Sequence, residues 1–368
     1  MKKAVVILPT YNESKNIIEV ITSIFHTNKE LTNWTIEILV VDSSSPDGTG
    51  QVVKDLKNKF DRLYLLETKK EGLGKAYIAG FTYAIEKLNA FVLIEMDADL
   101  QHDPKKIKDL LHNIEKGADF VIGSRYMKGG SIPASWGLDR KFFSVFGNII
   151  IRLGFMNLKV TDWTNGFRAI KSWVVKPILR EMTPYTGYVF QVALLDKALK
   201  NKAIVKEFPL HFGERLEGES KINSPQVMIN TLFYILTHSS FIKFVIVGGI
   251  GFLIDFGISY IFIEKFKSPL WIATMISTES AIISNFLFNN FWSFAHKKIA
   301  GGWFGYLVNF LKFNLVSSGS IIIQTGGIQF FDFVFGREWW YIYKIFIIIF
   351  IIIPYSYFLY NKVIWKDK

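Results

Sequence analysis

Apolar residues are arranged in two different ways along this chain. Before about residue 240 they form short runs, Ala4 to Leu8, Ile36 to Val41, Leu63 to Leu66, Ala90 to Met96 and Phe120 to Gly123, each closed by a polar or turn-forming break. Runs this short predict strands buried on both faces. Between them lie helix-compatible segments: one capped by Ser14 and running to about His26, then Gly50 to Phe60 and Lys75 to Leu88. Such alternation predicts a mostly parallel, doubly wound α/β sheet, with Pro9 stopping the first strand. In sheets of this kind ligands sit at the carboxyl ends of the strands, where Pro9 to Glu13, Asp42 to Asp47, Asp97 to Gln101 and Gly123 to Tyr126 fall.

After Phe241 the pattern changes to long Ile, Phe, Leu and Val runs, about 242–263, 270–294, 304–331 and 341–363. Each is long enough to cross about 30 Å of hydrocarbon, so an all-α domain of four transmembrane spans is expected over 241–368. Lys297, Lys298, Lys362, Lys366 and Lys368 then fall on the side of the N-terminal domain, against Lys265, Lys267 and Arg337 opposite. Trp271, Trp303, Trp339, Trp340 and Trp365 stand near span ends, as interfacial anchors do. Two further stretches, 139–158 and 225–240, combine bulky apolar groups with flanking charge, and both core and interfacial helices fit them; proximity to the spans favours the interface. Asp255 and Glu279 lie inside the expected spans. Interhelical hydrogen bonding accounts for them more simply than a lipid path does.

Composition narrows the function. The 368 residues contain no cysteine, which excludes disulfides, thiolate catalysis and thiolate metal sites. A net charge of +11 invites a nucleic-acid reading, yet no basic cluster interleaved with aromatics accompanies it. An anionic membrane face and anionic substrates explain it better. The first apolar run is too short for a signal peptide, so the N-terminal domain is expected to stay cytoplasmic.

The chemistry concentrates at strand ends. Asp97, Asp99 and Gln101 alternate along an extended segment that places them on one side, a hard oxygen set suited to Mg²⁺ or Mn²⁺. Standing alone, the same Asp-Ala-Asp could be a solvated cap. Asp42 with Tyr11 and Glu13 could clamp a nucleoside, although Asp47-Gly48 is also simply a good turn. Lys75, after Gly72 and Gly74 at a helix start, could meet phosphate oxygens. Arg125 could grip a phosphate bidentately or serve as a structural arginine. The polar run Gly213 to Lys221 reads as a substrate-ordered loop or as a charged linker. His102 reads as a packed or capping residue rather than a ligand.

Pro9-Thr-Tyr-Asn-Glu13, Asp42, Pro46-Asp-Gly-Thr49, Asp97-Ala-Asp-Leu-Gln-His102, Gly123-Ser-Arg-Tyr126, Asn165-Gly-Phe-Arg168 and Arg215 to Lys221 occur together in this order. On these motifs the first 230 residues or so resemble the inverting family 2 glycosyltransferases of GT-A fold, in particular dolichol-phosphate mannose synthases and polyprenyl-phosphate glycosyltransferases. The remainder resembles their GtrA-like membrane domain. The resemblance implies a Rossmann-like catalytic domain over 1–224, an interfacial linker over 225–240 and the four-span domain. It also implies a reaction, the transfer of a hexose from a nucleotide sugar to a polyprenyl or dolichyl phosphate at the cytoplasmic face. Asp97, Asp99 and Gln101 would hold the metal. Pro9, Tyr11, Glu13, Asp42, Lys75, Asp97 and Arg125 would bind the nucleotide sugar, and Arg125, Arg215, Ser220 and Lys221 the acceptor phosphate. Asp99, Arg125, Arg215 and Lys221 are the implied catalytic set. The motifs favour GDP-mannose over UDP-glucose, although Ser43 and Ser44 replace acidic residues frequent in relatives. A glycolipid flippase with a nucleotide-sugar-binding domain is the rival. The Gln-x-x-Arg-Trp signature of processive synthases is missing, which argues against a long polymer product.

Overall fold

The computed structural model describes residues 1–368 except Glu30, Thr186, 215–223, Pro269, Lys298, Ala300, 337–339 and 366–368. Arg215, Ser220 and Lys221, with Lys298, Arg337, Trp339, Lys366 and Lys368, thus lie outside the described residues. The chain separates into two compact units, Met1–Tyr234 and Ile235–Lys368.

The first unit is built on a seven-stranded sheet. Its strands are β1 (Lys2–Thr10), β2 (Trp34–Asp42), β3 (Leu63–Glu67), β4 (Val92–Glu95), β5 (Phe120–Ser124), β6 (Arg168–Lys171) and β7 (Val205–Pro209), in the order β3-β2-β1-β4-β6-β5-β7. All pairings are parallel except those of β6, which runs antiparallel to β4 and β5. Helices α1 (Ile17–Asn28), α2 (Thr49–Leu56), α3 (Leu73–Glu86), α4 (Ile107–Glu115), α5 (Leu138–Gly154), α6 (Ser172–Val175), α7 (Gly187–Lys200) and α8 (Ser224–His238) complete the connections.

Strand alternation sorts the core into two layers. Ala4, Val6 and Leu8 join Ile17, Val20, Ile21 and Ile24 of α1 and Ile107, Leu110 and Leu111 of α4 in one cluster. Each fully buried Ile, Leu or Val there contributes about 1.5–3 kcal/mol. Ile7 points the other way, toward α3, where a Cβ on Gly80 would stand 2.7 Å from its Cγ2. Glycine thus sets the close approach of α3 to the sheet. Tyr77 of α3 stacks on Phe190 of α7 at 5.8 Å, closing that layer.

Two expected boundaries move. Pro9 lies inside β1, opposite Val41, rather than ending it. Thr10 O accepts from Ser43 N on the β2 side, so the neighbouring Pro9 nitrogen faces the β4 side, and β4 has already ended at Glu95 opposite Ile7. No ladder bond is lost there, which is the condition under which a strand tolerates proline. Ser14 is not a helix cap. Its N–H donates to Asp47 Oδ2 at 3.0 Å, and α1 begins only after Asn16.

The second unit is helical: α9 (Ser240–Tyr260), α10 (Leu270–Phe288), α11 (Gly302–Phe335), α12 (Trp340–Ile347) and α13 (Ile353–Leu359), with π-helical turns at Ile261–Lys265, Asn289–Ser293, Ile348–Ile352 and Tyr360–Ile364. Among the described residues, Ser240–Lys265 is long and apolar enough to cross a membrane, and Ile348–Ile364 is a shorter apolar helix. Asp255 of α9 accepts from Ser277 Oγ at 2.8 Å and Thr278 Oγ1 at 3.2 Å of α10, the interhelical hydrogen bonding expected for it. Glu279 is exposed.

Candidate active site

The metal-type motif follows β4, but not as an extended segment. The strand ends at Glu95, the chain bends through Ala98 to Leu100, and Leu100 adopts φ +63°. A leucine in the left-handed region costs about 1–2 kcal/mol, so surrounding contacts must hold it. They do. Gln101 N donates to Asp99 Oδ1 at 3.2 Å, and Asp97 N donates to His102 Nδ1 at 3.1 Å. Gln101 is pinned to the start of the Gly213 segment twice, Nε2 to Gly213 O at 3.0 Å and Gly213 N to Gln101 O at 2.8 Å. A compact turn therefore carries Asp97, Asp99 and Gln101, instead of the strand alternation read from sequence. The Asp97 side chain is 38% exposed, whereas Asp99 and Gln101 are buried. Among the described residues no three His, Cys, Asp or Glu side chains form a metal-holding group. A hard divalent ion fits this turn as two carboxylates and an amide oxygen, with positions left for substrate oxygens.

The other strand ends are more internally engaged than their sequence suggests. Asp42 Oδ1 accepts from Thr10 Oγ1 at 2.8 Å and Ser45 Oγ at 2.6 Å, and Oδ2 accepts from Ser45 N at 2.9 Å. At 2% exposure, Asp42 organises its own loop. Glu13 Oε2 accepts from Asn16 Nδ2 at 3.1 Å, and Glu13 N donates to Thr49 Oγ1. The Tyr11 ring has Lys70 Nζ over it, 3.6 Å from the centroid. Lys75 is exposed and pairs with Glu71 at 2.9 Å.

Arg125 departs furthest from the phosphate-gripping role. Its Nε and Nη2 donate to Asp162 Oδ2 and Oδ1 at 2.7 and 2.9 Å, Nη2 also reaches Thr164 Oγ1 at 2.8 Å, and the residue is 6% exposed. A guanidinium held bidentately in the interior orders the loop between β5 and β6. Asp162 is its anchor, a pairing across 37 residues that no local pattern signals. Burial raises the Asp162 carboxyl, but Arg125 and the converging N–H donors outweigh that and hold it below its usual range.

A second feature invisible in the sequence lies behind Asp97. Glu95 and Arg168, opposite each other on β4 and β6, are both fully buried with Arg168 Nε 3.9 Å from Glu95 Oε2. Among the described residues, both Glu95 oxygens, the Gln191 amide atoms and Tyr77 Oη are buried without a hydrogen-bond partner. Burial pushes the Glu95 carboxyl from 4.5 up to about 8, with Arg168 opposing only in part. A raised folded value means the associated stability is full below pH 4.5 and is lost as pH climbs through about 8. Glu95→Gln is expected to flatten this slope. Thermal midpoints at about pH 5 and about pH 8 check it, and an unchanged fall in the variant would assign the slope to another group.

A largely parallel sheet with an acidic turn at the end of its central strand is an architecture of the GT-A class. Residues 5–176 match the model of glycosyl transferase family 2, and residues 243–365 match the GtrA/DPMS transmembrane domain. The chain is 33% identical over 333 residues to a dolichol-phosphate mannosyltransferase of Pyrococcus furiosus, covering 87% of this chain and 88% of that protein. A polyprenol monophosphomannose synthase of Mycolicibacterium smegmatis is 36% identical over 61% of this chain and 83% of its own. Among solved structures, a glucosyl-3-phosphoglycerate synthase of Mycobacterium tuberculosis aligns with TM-score 0.45 and 17% identity, over 64% of this chain and 79% of that one. The protein belongs to glycosyl transferase family 2, in the branch that carries a GtrA/DPMS membrane domain.

Proposed function

We propose that this enzyme transfers mannose from GDP-mannose to a polyprenyl or dolichyl phosphate, with inversion, at the cytoplasmic face of the membrane. The observation that carries the reading is the match to the Pyrococcus furiosus dolichol-phosphate mannosyltransferase, which runs through 87% of this chain. Asp97, Asp99 and Gln101 would hold Mg²⁺ or Mn²⁺, which would supply screening for the charge that grows on a departing nucleoside diphosphate. Tyr11, Glu13 and the loop organised by Asp42, with Pro9 at its base, frame the nucleoside, and Lys75 meets phosphate oxygens. Arg215, Ser220 and Lys221 receive the acceptor phosphate, while Arg125 supports the site through Asp162. A phosphate monoester, with a second pKa of about 6, is already largely ionised at neutral pH, so positioning matters more than a general base.

The membrane part contributes four spans, returning the C-terminus to the catalytic side. Helices α5 and α8 lie in the interface. Leu138, Phe142, Phe146, Ile149 and Leu153 form an exposed apolar stripe at helical spacing on α5, and Ile229, Leu232, Phe233 and Leu236 another on α8. Lipid solubility of the acceptor accounts for joining these parts in one chain.

Purified full-length protein incubated with polyprenyl phosphate, Mn²⁺ and either GDP-mannose or UDP-glucose is expected to yield a glycolipid by mass spectrometry from GDP-mannose alone. Product only from UDP-glucose would keep the chemistry and replace the donor. No product from either would sink the reading.

A further inference from the structure

His102 joins the metal-type turn to two other parts of the site and is fully buried. Its Nδ1 accepts the Asp97 N–H at 3.1 Å, so that nitrogen carries no hydrogen. In the neutral ring the proton then sits on Nε2, which donates to Asn165 Oδ1 at 3.1 Å. This assignment orients the Asn165 amide, whose Nδ2 donates to Gly123 O at the end of β5. Asn165 N in turn donates to Asp162 Oδ1 at 3.1 Å, the oxygen that also holds Arg125 Nη2. The three bonds from Asp97 N to Gly123 O are compatible in sense with this one tautomer. The imidazole is clasped between Phe167, stacked at 5.0 Å, and Phe212, edge-on at 5.2 Å.

We propose that His102 is a positioning residue for the Asp97 carboxylate. Three observations carry this. The ring touches the backbone of Asp97, not its carboxylate: Asp97 Oδ2 stands 3.7 Å from Nδ1, which has no proton to offer it. The turn it fastens contains Leu100 at φ +63°, a conformation that relaxes unless it is held at both ends. Gln101 to Gly213 fastens one end, and His102 to Asp97 the other. The function of the imidazole is therefore to fix where the carboxylate of Asp97 sits relative to that of Asp99, as outer groups do for first ligands at metal sites. This role rests on the turn holding a divalent ion.

Two variants separate positioning from packing. His102→Phe keeps a planar ring between Phe167 and Phe212 but removes both nitrogens. His102→Asn gives up the ring but can return an oxygen acceptor to the Asp97 N–H. Titration of Mn²⁺ into the full-length protein without substrates, followed by the electron paramagnetic resonance signal of free Mn²⁺, gives affinity independently of turnover. Positioning predicts about tenfold weaker Mn²⁺ binding in the Phe variant and near-wild-type binding in the Asn variant. Thermal midpoints are expected to rank the two the other way, because Asn leaves a cavity where the ring was. A packing role alone would rank both properties alike. Wild-type affinity in the Phe variant, or Asn binding as weakly as Phe, overturns the proposal while leaving the metal reading intact. A wild-type protein that takes up no Mn²⁺ overturns both.

Discussion

Asp99→Ala is expected to reduce glycosyl transfer by about 10²–10³-fold or more, the loss seen when one group that stabilises developing charge is removed from a preorganised site. The fold should scarcely notice. Asp99 accepts from Gln101 N at 3.2 Å, and losing one such bond costs about 1 kcal/mol. Product formation from saturating donor and acceptor, read beside the thermal midpoint, separates the two effects. Loss of activity with an unchanged midpoint supports the assignment. Activity within threefold or so of wild type would remove Asp99 from the reacting site.

Asp162→Asn is expected to be the most destabilising single-atom exchange in the catalytic unit. The carboxylate receives Arg125 Nε, Nη2 and N, together with Thr164 N and Asn165 N, at 2.7 to 3.2 Å. Converting one oxygen to an amine turns a donor toward donors and leaves the Arg125 charge buried without its partner. Breaking a buried pair in this way costs about 3–5 kcal/mol. In a unit of this size that corresponds to a fall of about 10 °C in thermal midpoint, measured on the detergent-solubilised protein. Because Asp162 is held below its ordinary value, its contribution is present above about pH 4 and disappears as acid approaches the depressed folded value. A midpoint within about 2 °C of wild type would mean that the loop finds another way to hold Arg125.

The parallel strands were legible because Ile36 to Val41 and Ala90 to Met96 are apolar on both faces apart from one glutamate each, Glu37 and Glu95, as suits a covered central strand. β6 and β7 were not. Arg168–Lys171 begins with a charge that is neutralised only by residues distant in sequence, and Val205–Pro209 pairs with β5 alone and carries Lys206, Glu207 and Pro209. The site was legible as a set of strand ends, but not in how its groups are used. Asp97, Asp99 and Gln101 lie on a turn that passes through a left-handed Leu100, not on the extended strand that the alternation of these positions implied. Arg125 looks like a substrate ligand until Asp162, 37 residues further on, is seen to hold it. Local pattern reports which residues share a strand end. It does not report which of them have already been claimed by a partner from another element.

The buried pair of Glu95 and Arg168 is lopsided. Arg168 donates to the carbonyls of Gln191 at 2.8 Å and Trp163 at 2.7 Å, whereas neither Glu95 oxygen receives a hydrogen bond from the described residues. Take the acid away, and the guanidinium keeps two backbone acceptors. Take the arginine away, and two buried carbonyls lose their donor while the acid loses the positive charge that opposes its burial. Position 95 can therefore be neutralised with every backbone bond of the arginine still in place, whereas no change at position 168 short of another long donor keeps those carbonyls satisfied.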